Sequence, residues 1–484
     1  MNYSITAKIM GVILIVESLF LLPPLGLALL DQDGTVTGIL MVMAIMLAVG
    51  FGATKISAKD LVVAPLDGLL IVSLAWVVAS IFGALPMFLC TKMSYVDSFF
   101  EIVSGFTTTG SSVINDIESF PRSIILWRST AHWLGGMGIL VFTISLLPKL
   151  GVGGFQIFKA ESPGPVAGKI ESTVSQTAKR LYSIYMVITL SLFVFLLIGG
   201  MKPFDAIIQT LGVVGTGGFS SKNDSITGFT GYMIPVTMVI FMVICGTNFA
   251  VYYQIYHKKF KDIIQNEEVR FYLTLFFVAF LLITANLYFS GYNTLAMTAR
   301  DASFQVSSIM STSGFVNADY DLWPSFSRYV LLVLMFIGSC AGSTAGGIKI
   351  IRIVVLFKLI KREIQKVVHP KAVLPITING KIVPDEVVMG INSYLGIYLT
   401  IFVLSIGFIT LSGVDLVSAL SSVATMLSNV GPGFGQVGPT NNFANFSPIY
   451  KLYFSFLMLL GRLEFFTILA IIAPKRRKKR FVRL

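Results

Sequence analysis

Charge is scarce in this chain. Asp, Glu, Lys and Arg together make up 12% of its 484 residues and 55% are apolar, whereas a soluble globular protein carries about 25% charged residues. A water-soluble fold is excluded, and a mean hydropathy of +0.81 calls for an all-α integral membrane protein with many spans. Cysteine is nearly absent too. Cys90, Cys245 and Cys340 are scattered with no CxxC pair, which argues against disulfide or thiolate–metal chemistry. The three histidines, His132, His257 and His369, are equally dispersed. No His, Cys or carboxylate cluster marks a catalytic centre, so neither an enzyme nor a bound cofactor is expected.

What the chain has instead is a repeat. Asp97 leads through a short apolar segment to Thr108-Thr109-Gly110, Asp205 to Thr216-Gly217-Gly218, and Asp301 to Thr312-Ser313-Gly314. The aspartate precedes the final glycine by thirteen residues each time. A segment of that length cannot cross a bilayer, which takes roughly 20 residues, so each reads as a helix that dips in and turns back. A fourth copy ends at Gly431-Pro432-Gly433, where Asp415 lies 18 residues before Gly433; its helix is expected to be longer or to begin differently. Aligning the four copies on their last glycine gives Gly110, Gly218, Gly314 and Gly433.

Apolar stretches long enough to span fall near residues 5–30, 36–54, 68–89, 126–147, 181–200, 232–256, 269–289, 326–357 (interrupted), 391–411 and 449–473. The first is read as a retained span and not a cleaved signal, since it is long, contains Glu17 and lacks a small-residue cleavage site. Ten spans put both termini on one side. Of the 36 Lys and Arg, 27 lie toward the side of the N-terminus, the C-terminal tail and the loops after even-numbered spans, counting Lys8, Arg270, Lys349 and Arg352 within the spans toward that side, so both termini are expected in the cytoplasm. The dipping segments all follow odd spans and enter from the outside. The unit is therefore span, short helix, glycine loop, span. Its expected limits are a hairpin at 1–60, then repeats at 61–150, 151–260, 261–370 and 371–484, the last ending in the basic run Lys475–Arg480. That run suits the lipid surface, and its position argues against a nucleic-acid partner.

Four glycine turns on one side suit an ion filter. Glycine accepts positive φ and has no Cβ, so successive carbonyls can face a common axis and replace a cation's hydration shell. The filter positions contain no charged side chain, which favours carbonyls over charged rings. If Asp97, Asp205 and Asp301 cap their helices, the partly negative C-termini point at mid-membrane and favour a cation. Two further features stand out. Span eight contains Gly338-Ser-Cys-Ala-Gly342-Ser343-Thr344-Ala-Gly346-Gly347, followed by Lys349. It is either an unwound loop obstructing the pore or, by its GxxxGxxxG spacing, a helix-packing face. Span ten carries Arg462, which calls for a partner inside the membrane; carbonyls of the span-eight loop are the expected one.

The loops TTTGSS, GTGGFS, STSGF and NVGPGFG, the run GSCAGSTAGGIK and the final GRLE together resemble the TrkH/TrkG/KtrB superfamily of microbial potassium-uptake proteins. The match covers essentially the whole chain, and the extra N-terminal hairpin places it nearest the bacterial TrkH branch. The resemblance implies a single-chain, potassium-channel-like pore whose filter includes Gly110, Gly218, Gly314 and Gly433. It also implies a gate formed by the Gly338–Gly347 loop and Arg462. K⁺ (and Rb⁺) would be the substrate and the bacterial inner membrane the location. A homodimer and a cytosolic ring of nucleotide-binding subunits similar to TrkA would be the partners. No GxGxxG-type nucleotide-binding fold or Walker motif is read in this chain, the string GFGQVG at 433–438 belonging to the fourth glycine loop, so nucleotide control would come from that ring. A coupled symporter of K⁺ with H⁺ or Na⁺ is the alternative, but no filter carries the carboxylate such coupling usually needs.

Overall fold

A computed structural model of the chain describes residues 3–56, 65–138, 174–465 and 467–468. The later part of expected span four, the basic segment that follows it and the Lys475–Arg480 run lie outside these residues. The described chain is helical apart from a two-strand hairpin pairing Thr377–Ile378 with Lys381–Ile382.

The first span is α1 (Tyr3–Leu19) and α2 (Leu22–Asp31), and it returns as α3 (Val36–Thr54). Pro23 and Pro24 sit in the first turn of α2, where a missing N–H does no harm but continuation from α1 is blocked. The hairpin closes on glycine: a Cβ at Gly11 would lie 2.5 Å from Gly50 O, and one at Gly50 would lie 2.8 Å from Gly11 O. Such close backbone approach is how helices associate without a hydrophobic driving force between them.

The chain then runs four times through a helix, a shorter helix, a loop and a returning helix. The first unit is α4 (Pro65–Gly83) with α5 (Leu85–Cys90), short α6 (Tyr95–Phe106) and α7 (Arg122–Gly136). The second is α8 (Val174–Ile198), short α9 (Pro203–Gly215), then α10 (Met233–Gly246) and α11 (Phe249–Tyr256), bent by 93° to each other. Asn248 makes that bend, capping α11 through the Ala250 amide at 2.9 Å. After a five-residue helix α12 (Phe260–Ile264), the third unit is α13 (Glu267–Phe289), short α14 (Leu295–Met310), α15 (Ser325–Ile337) and α16 (Ile350–Val368). The fourth is α17 (Asp385–Thr410), short α18 (Leu416–Ser428) and α19 (Pro448–Leu463).

Six of the described helices are long and apolar enough to cross a membrane, or seven if α10 and α11 form one span. Ten were expected. The difference lies in span four, described only to residue 138, in span eight, which is broken between α15 and α16, and in span ten, whose helix α19 has 16 residues. The main core joins the hairpin and the first, second and fourth units. Most of the third unit packs as a separate cluster with Tyr272, Phe276 and Met335, and Val430 and Phe434 of the fourth unit belong to it.

Candidate functional site

Each short helix ends in the same way. In α6 the Thr109 amide donates to Ser104 O at 2.9 Å and the Thr108 amide to Gly105 O at 3.0 Å. The equivalent pairs are Gly217 to Gly212 and Thr216 to Val213, Ser313 to Ser308 and Thr312 to Ile309, and Val430 to Thr425 and Asn429 to Met426. This is the Schellman closure, with one residue in the left-handed region. That residue is Thr108, Thr216, Thr312 or Asn429, at φ of 56°, 58°, 56° and 55°. Glycine is the usual occupant, and a β-branched residue there is a genuine outlier. Strain of about 1–3 kcal/mol at each position is tolerated four times to keep a side-chain oxygen at the helix end.

Two residues after each strained position stands a glycine: Gly110, Gly218, Gly314 and Gly431. They close a ring. A Cβ on Gly110 would lie 2.5 Å from Gly218 N, one on Gly218 would lie 2.7 Å from Ser313 O, one on Gly314 would collide with Val430 O, and one on Gly431 would lie 2.7 Å from Thr109 O. Each loop thus abuts the next and the fourth returns to the first. All four glycines line one cavity of about 230 Å³, continued by the loops that follow them. The ring member of the fourth loop is therefore Gly431, not the Gly433 that alignment on the last glycine selects. Gly433 faces Ser421 Oγ and Val437 of its own unit. The fourth helix is also no longer than the second, at 13 residues each; it begins differently.

The expected aspartate caps are corrected. The N-cap residues of α6, α9 and α14 are Ser94, Lys202 and Thr294. Asp97 instead pairs with Lys451 at 2.6 Å, Asp205 accepts Ser221 Oγ at 2.6 Å, and Asp301 accepts Asn317 Nδ2 at 3.0 Å. The last two bonds fasten each loop back to its own helix. Of these four aspartates only Asp415 is an N-cap, taking the Val417 and Ser418 amides at 3.1 Å; the Ser418 hydroxyl, and then these amide bonds, hold its carboxyl below the usual range. Sequence reasoning missed a second set of tethers, nine residues before the ring glycine. Glu101 accepts the Val113 amide at 2.9 Å, Gln209 donates to Ser220 Oγ at 2.7 Å, and Gln305 donates to Asn317 Oδ1 at 2.9 Å. All three are fully buried. A buried polar residue at constant distance from each glycine was the available signal.

Next to the ring, residues 338–349 are not helical, which decides between the two readings of this run in favour of the unwound one. Gly338, Gly342 and Gly347 have φ of 70°, 72° and 76°. Small residues let the loop thread here: Ser339 Oγ donates to Met310 O at 2.7 Å, the Ala341 amide to Glu268 Oε1 at 2.6 Å, and the Gly346 amide to Thr312 Oγ1 at 2.8 Å. The last bond ties the loop directly to a strained threonine of the ring. Thr344 Oγ1 reaches Cys245 O at 3.4 Å, Ser343 Oγ bonds Cys340 O at 2.7 Å, and Lys349, 2% exposed, donates to Ala345 O. Arg462 finds the partner expected of it. Its Nη1 donates to Thr344 O at 2.7 Å, and Nη2 to Gly135 O and Gly136 O at 2.6 and 2.9 Å. Glu464, two residues on, pairs with Arg352 at 2.7 Å instead.

The arrangement offers oxygens and no fixed charge at the ring. Thr108 Oγ1 and Asn429 Oδ1 are buried with no hydrogen-bond partner, and Thr109 O, Ser313 O and Val430 O face the neighbouring loop. Among the described residues no cluster of three or more His, Cys, Asp or Glu is placed to hold a metal. The oxygen set suits a desolvated monovalent cation passing through as substrate. The ring assignment predicts an asymmetry within the fourth loop. Gly431→Ser, at φ 105° and against Thr109 O, will lower cation discrimination by about tenfold, whereas Gly433→Ser displaces only side chains and will change it far less. Flux ratios for paired cations in proteoliposomes check this.

A sequence profile described as TrkH, cation transport protein, matches residues 39–481. The chain is 35% identical over 480 residues to the Trk system potassium uptake protein TrkH of Escherichia coli K12, covering 98% of this chain and 99% of that one. It is 31% identical to the Trk system potassium uptake protein TrkG of the same strain, over 95% and 96% of the two chains. Its fold superposes on the crystal structure of the potassium transporter TrkH from Vibrio parahaemolyticus with a TM-score of 0.87, at 33% identity and over 98% of this chain and 99% of that one.

Proposed function

The chain belongs to the TrkH family of cation transport proteins, a family of transporters and not of enzymes, and from that premise we propose that it takes up potassium through the ring of four glycine loops. The observation that carries the reading is the closure of the ring, in which Gly110, Gly218, Gly314 and Gly431 each abut the next loop. Backbone carbonyls and the Thr108, Thr216, Thr312 and Asn429 oxygens replace the hydration shell of the ion. The short helices add the partly negative ends of their dipoles at the same place.

Residues 338–349, bonded to the ring through the Gly346 amide and Thr312 Oγ1, are the gate in this reading, with Arg462 as its tie. Conduction is channel-like and driven by the membrane potential, about 2.3 kcal/mol per charge for each 100 mV. The homodimer, the cytosolic nucleotide-binding partner, the cytoplasmic termini and the inner-membrane location implied by the resemblance belong to the same proposal. ⁸⁶Rb⁺ uptake into liposomes holding only this chain tests it. With a set potential and no H⁺ or Na⁺ gradient, uptake will follow the potential and be competed by K⁺ but not Na⁺. Uptake that requires an H⁺ or Na⁺ gradient will replace the channel with a symporter.

A further inference from the structure

Behind the first two loops one face of α7 carries a buried strut. Arg128 and His132 stand one turn apart and are 2% and 0% exposed. Arg128 Nε donates to Glu101 Oε1 at 2.5 Å, and the same carboxylate takes Ser112 Oγ and the Val113 amide of the first loop, both at 2.9 Å. The Arg128 guanidinium lies 3.2 Å from the ring centroid of Phe219, the residue after Gly218 in the second loop. His132 holds the same loop: the Phe219 amide donates to Nε2 at 3.3 Å, which leaves Nδ1 as the donor to Gly105 O at 2.8 Å. Its ring lies 4.0 Å from that of Phe219, and a Cβ on Gly217 would overlap it.

The register with the other units isolates what is unusual. Nine residues before the ring glycine the second and third units have Gln209 and Gln305, which tether their loops with a neutral amide. The first unit has Glu101 and a cation to match it. A buried ion pair gives little or no stability over apolar residues of similar volume, so stability over an apolar pair does not account for it. What it touches is the join between two adjacent members of the ring, since Gly110 abuts Gly218, and Arg128 also lines the cavity above them.

We propose that Glu101, Arg128 and His132 are positioning residues that fix the separation of the first and second loops and so set the preference for potassium over sodium. This rests on the filter reading above. A ring held open at this join cannot contract around the smaller ion, so sodium loses its hydration shell without adequate replacement.

The test is the K⁺ over Na⁺ flux ratio of Arg128→Met in proteoliposomes, with Gly110→Ser measured beside it. Arg128→Met strands the Glu101 carboxylate, and the ratio will fall by about tenfold. Adding Glu101→Gln to it, which installs the residue used by the second and third units, will restore most of the ratio. A role confined to folding lowers the flux of both ions and leaves their ratio unchanged, which would overturn the proposal. If Arg128→Met does not fold, Arg128→Lys keeps the charge but loses the planar stacking on Phe219. Its ratio will then fall several-fold, and an unchanged ratio would again be contrary. If Gly110→Ser alters the ratio and the Arg128 variants do not, the strut is wrong and the filter stands; if neither alters it, the filter reading itself fails.

Discussion

Replacing Gly110 by Ser will cost the protein most of its discrimination between potassium and sodium, a fall of about tenfold, equivalent to 1.4 kcal/mol. Two effects act together. Gly110 has φ of 84°, a conformation that strains any residue with a Cβ by about 1–3 kcal/mol. The new Cβ also lies 2.5 Å from Gly218 N, and backbone cannot swing aside as a side chain can, so the first and second loops must part. Gly110→Ala separates the contributions, because it has the Cβ without the hydroxyl. Similar losses in both variants assign the effect to ring spacing, and a loss confined to Ser assigns it to an added oxygen ligand. Relative ⁸⁶Rb⁺ and ²²Na⁺ flux reads both.

Arg462→Ala will raise resting flux by about tenfold or more. Arg462 makes three hydrogen bonds to carbonyl oxygens of two elements, Thr344 in the loop and Gly135 and Gly136 at the end of α7. Bonds from a charged donor contribute about 1.5–3 kcal/mol each, and every 1.4 kcal/mol withdrawn from the closed state shifts the gating equilibrium about tenfold. Gly135 and Gly136 end α7, so the guanidinium also rests on the negative end of that helix. Arg462→Lys distinguishes a tie from an electrostatic barrier: it retains the positive charge but has no planar fork to bridge two elements. Raised flux in both variants identifies a tie. Raised flux in Ala alone identifies a barrier of charge. Unchanged flux in both, with folded protein, removes Arg462 from the gate.

Much of this architecture was open to reading in the sequence because its logic is local. Thr108-Thr109-Gly110, Thr216-Gly217-Gly218 and Thr312-Ser313-Gly314 repeat at constant distance from an aspartate. That distance survives in three units because Asp97, Asp205 and Asp301 hold equivalent places, although Asp205 and Asp301 tether loops and none of the three caps a helix. In the fourth unit the aspartate is a true cap, three residues earlier in register, and Ser418 occupies the tether position. Asp415 therefore offers no matching count, and alignment on the last glycine leads to Gly433. The closure of the helix end is the better guide: a Thr or Asn two residues before a glycine finds Gly110, Gly218, Gly314 and Gly431 alike. The unwound run at 338–349 was legible as small residues, and Arg462 as a charge in need of carbonyls. The Glu101–Arg128 pair was not, since its partners lie 27 residues apart on two helices and nothing in their spacing brings them together.

The most direct measurement of the central claim is the anomalous signal of Rb⁺ or Tl⁺ in crystals of this protein. The account predicts peaks on the axis enclosed by Gly110, Gly218, Gly314 and Gly431, within coordination distance of Thr109 O, Ser313 O and Val430 O, that weaken as K⁺ is added and persist with Na⁺. Peaks lying elsewhere, with none on that axis, would contradict it.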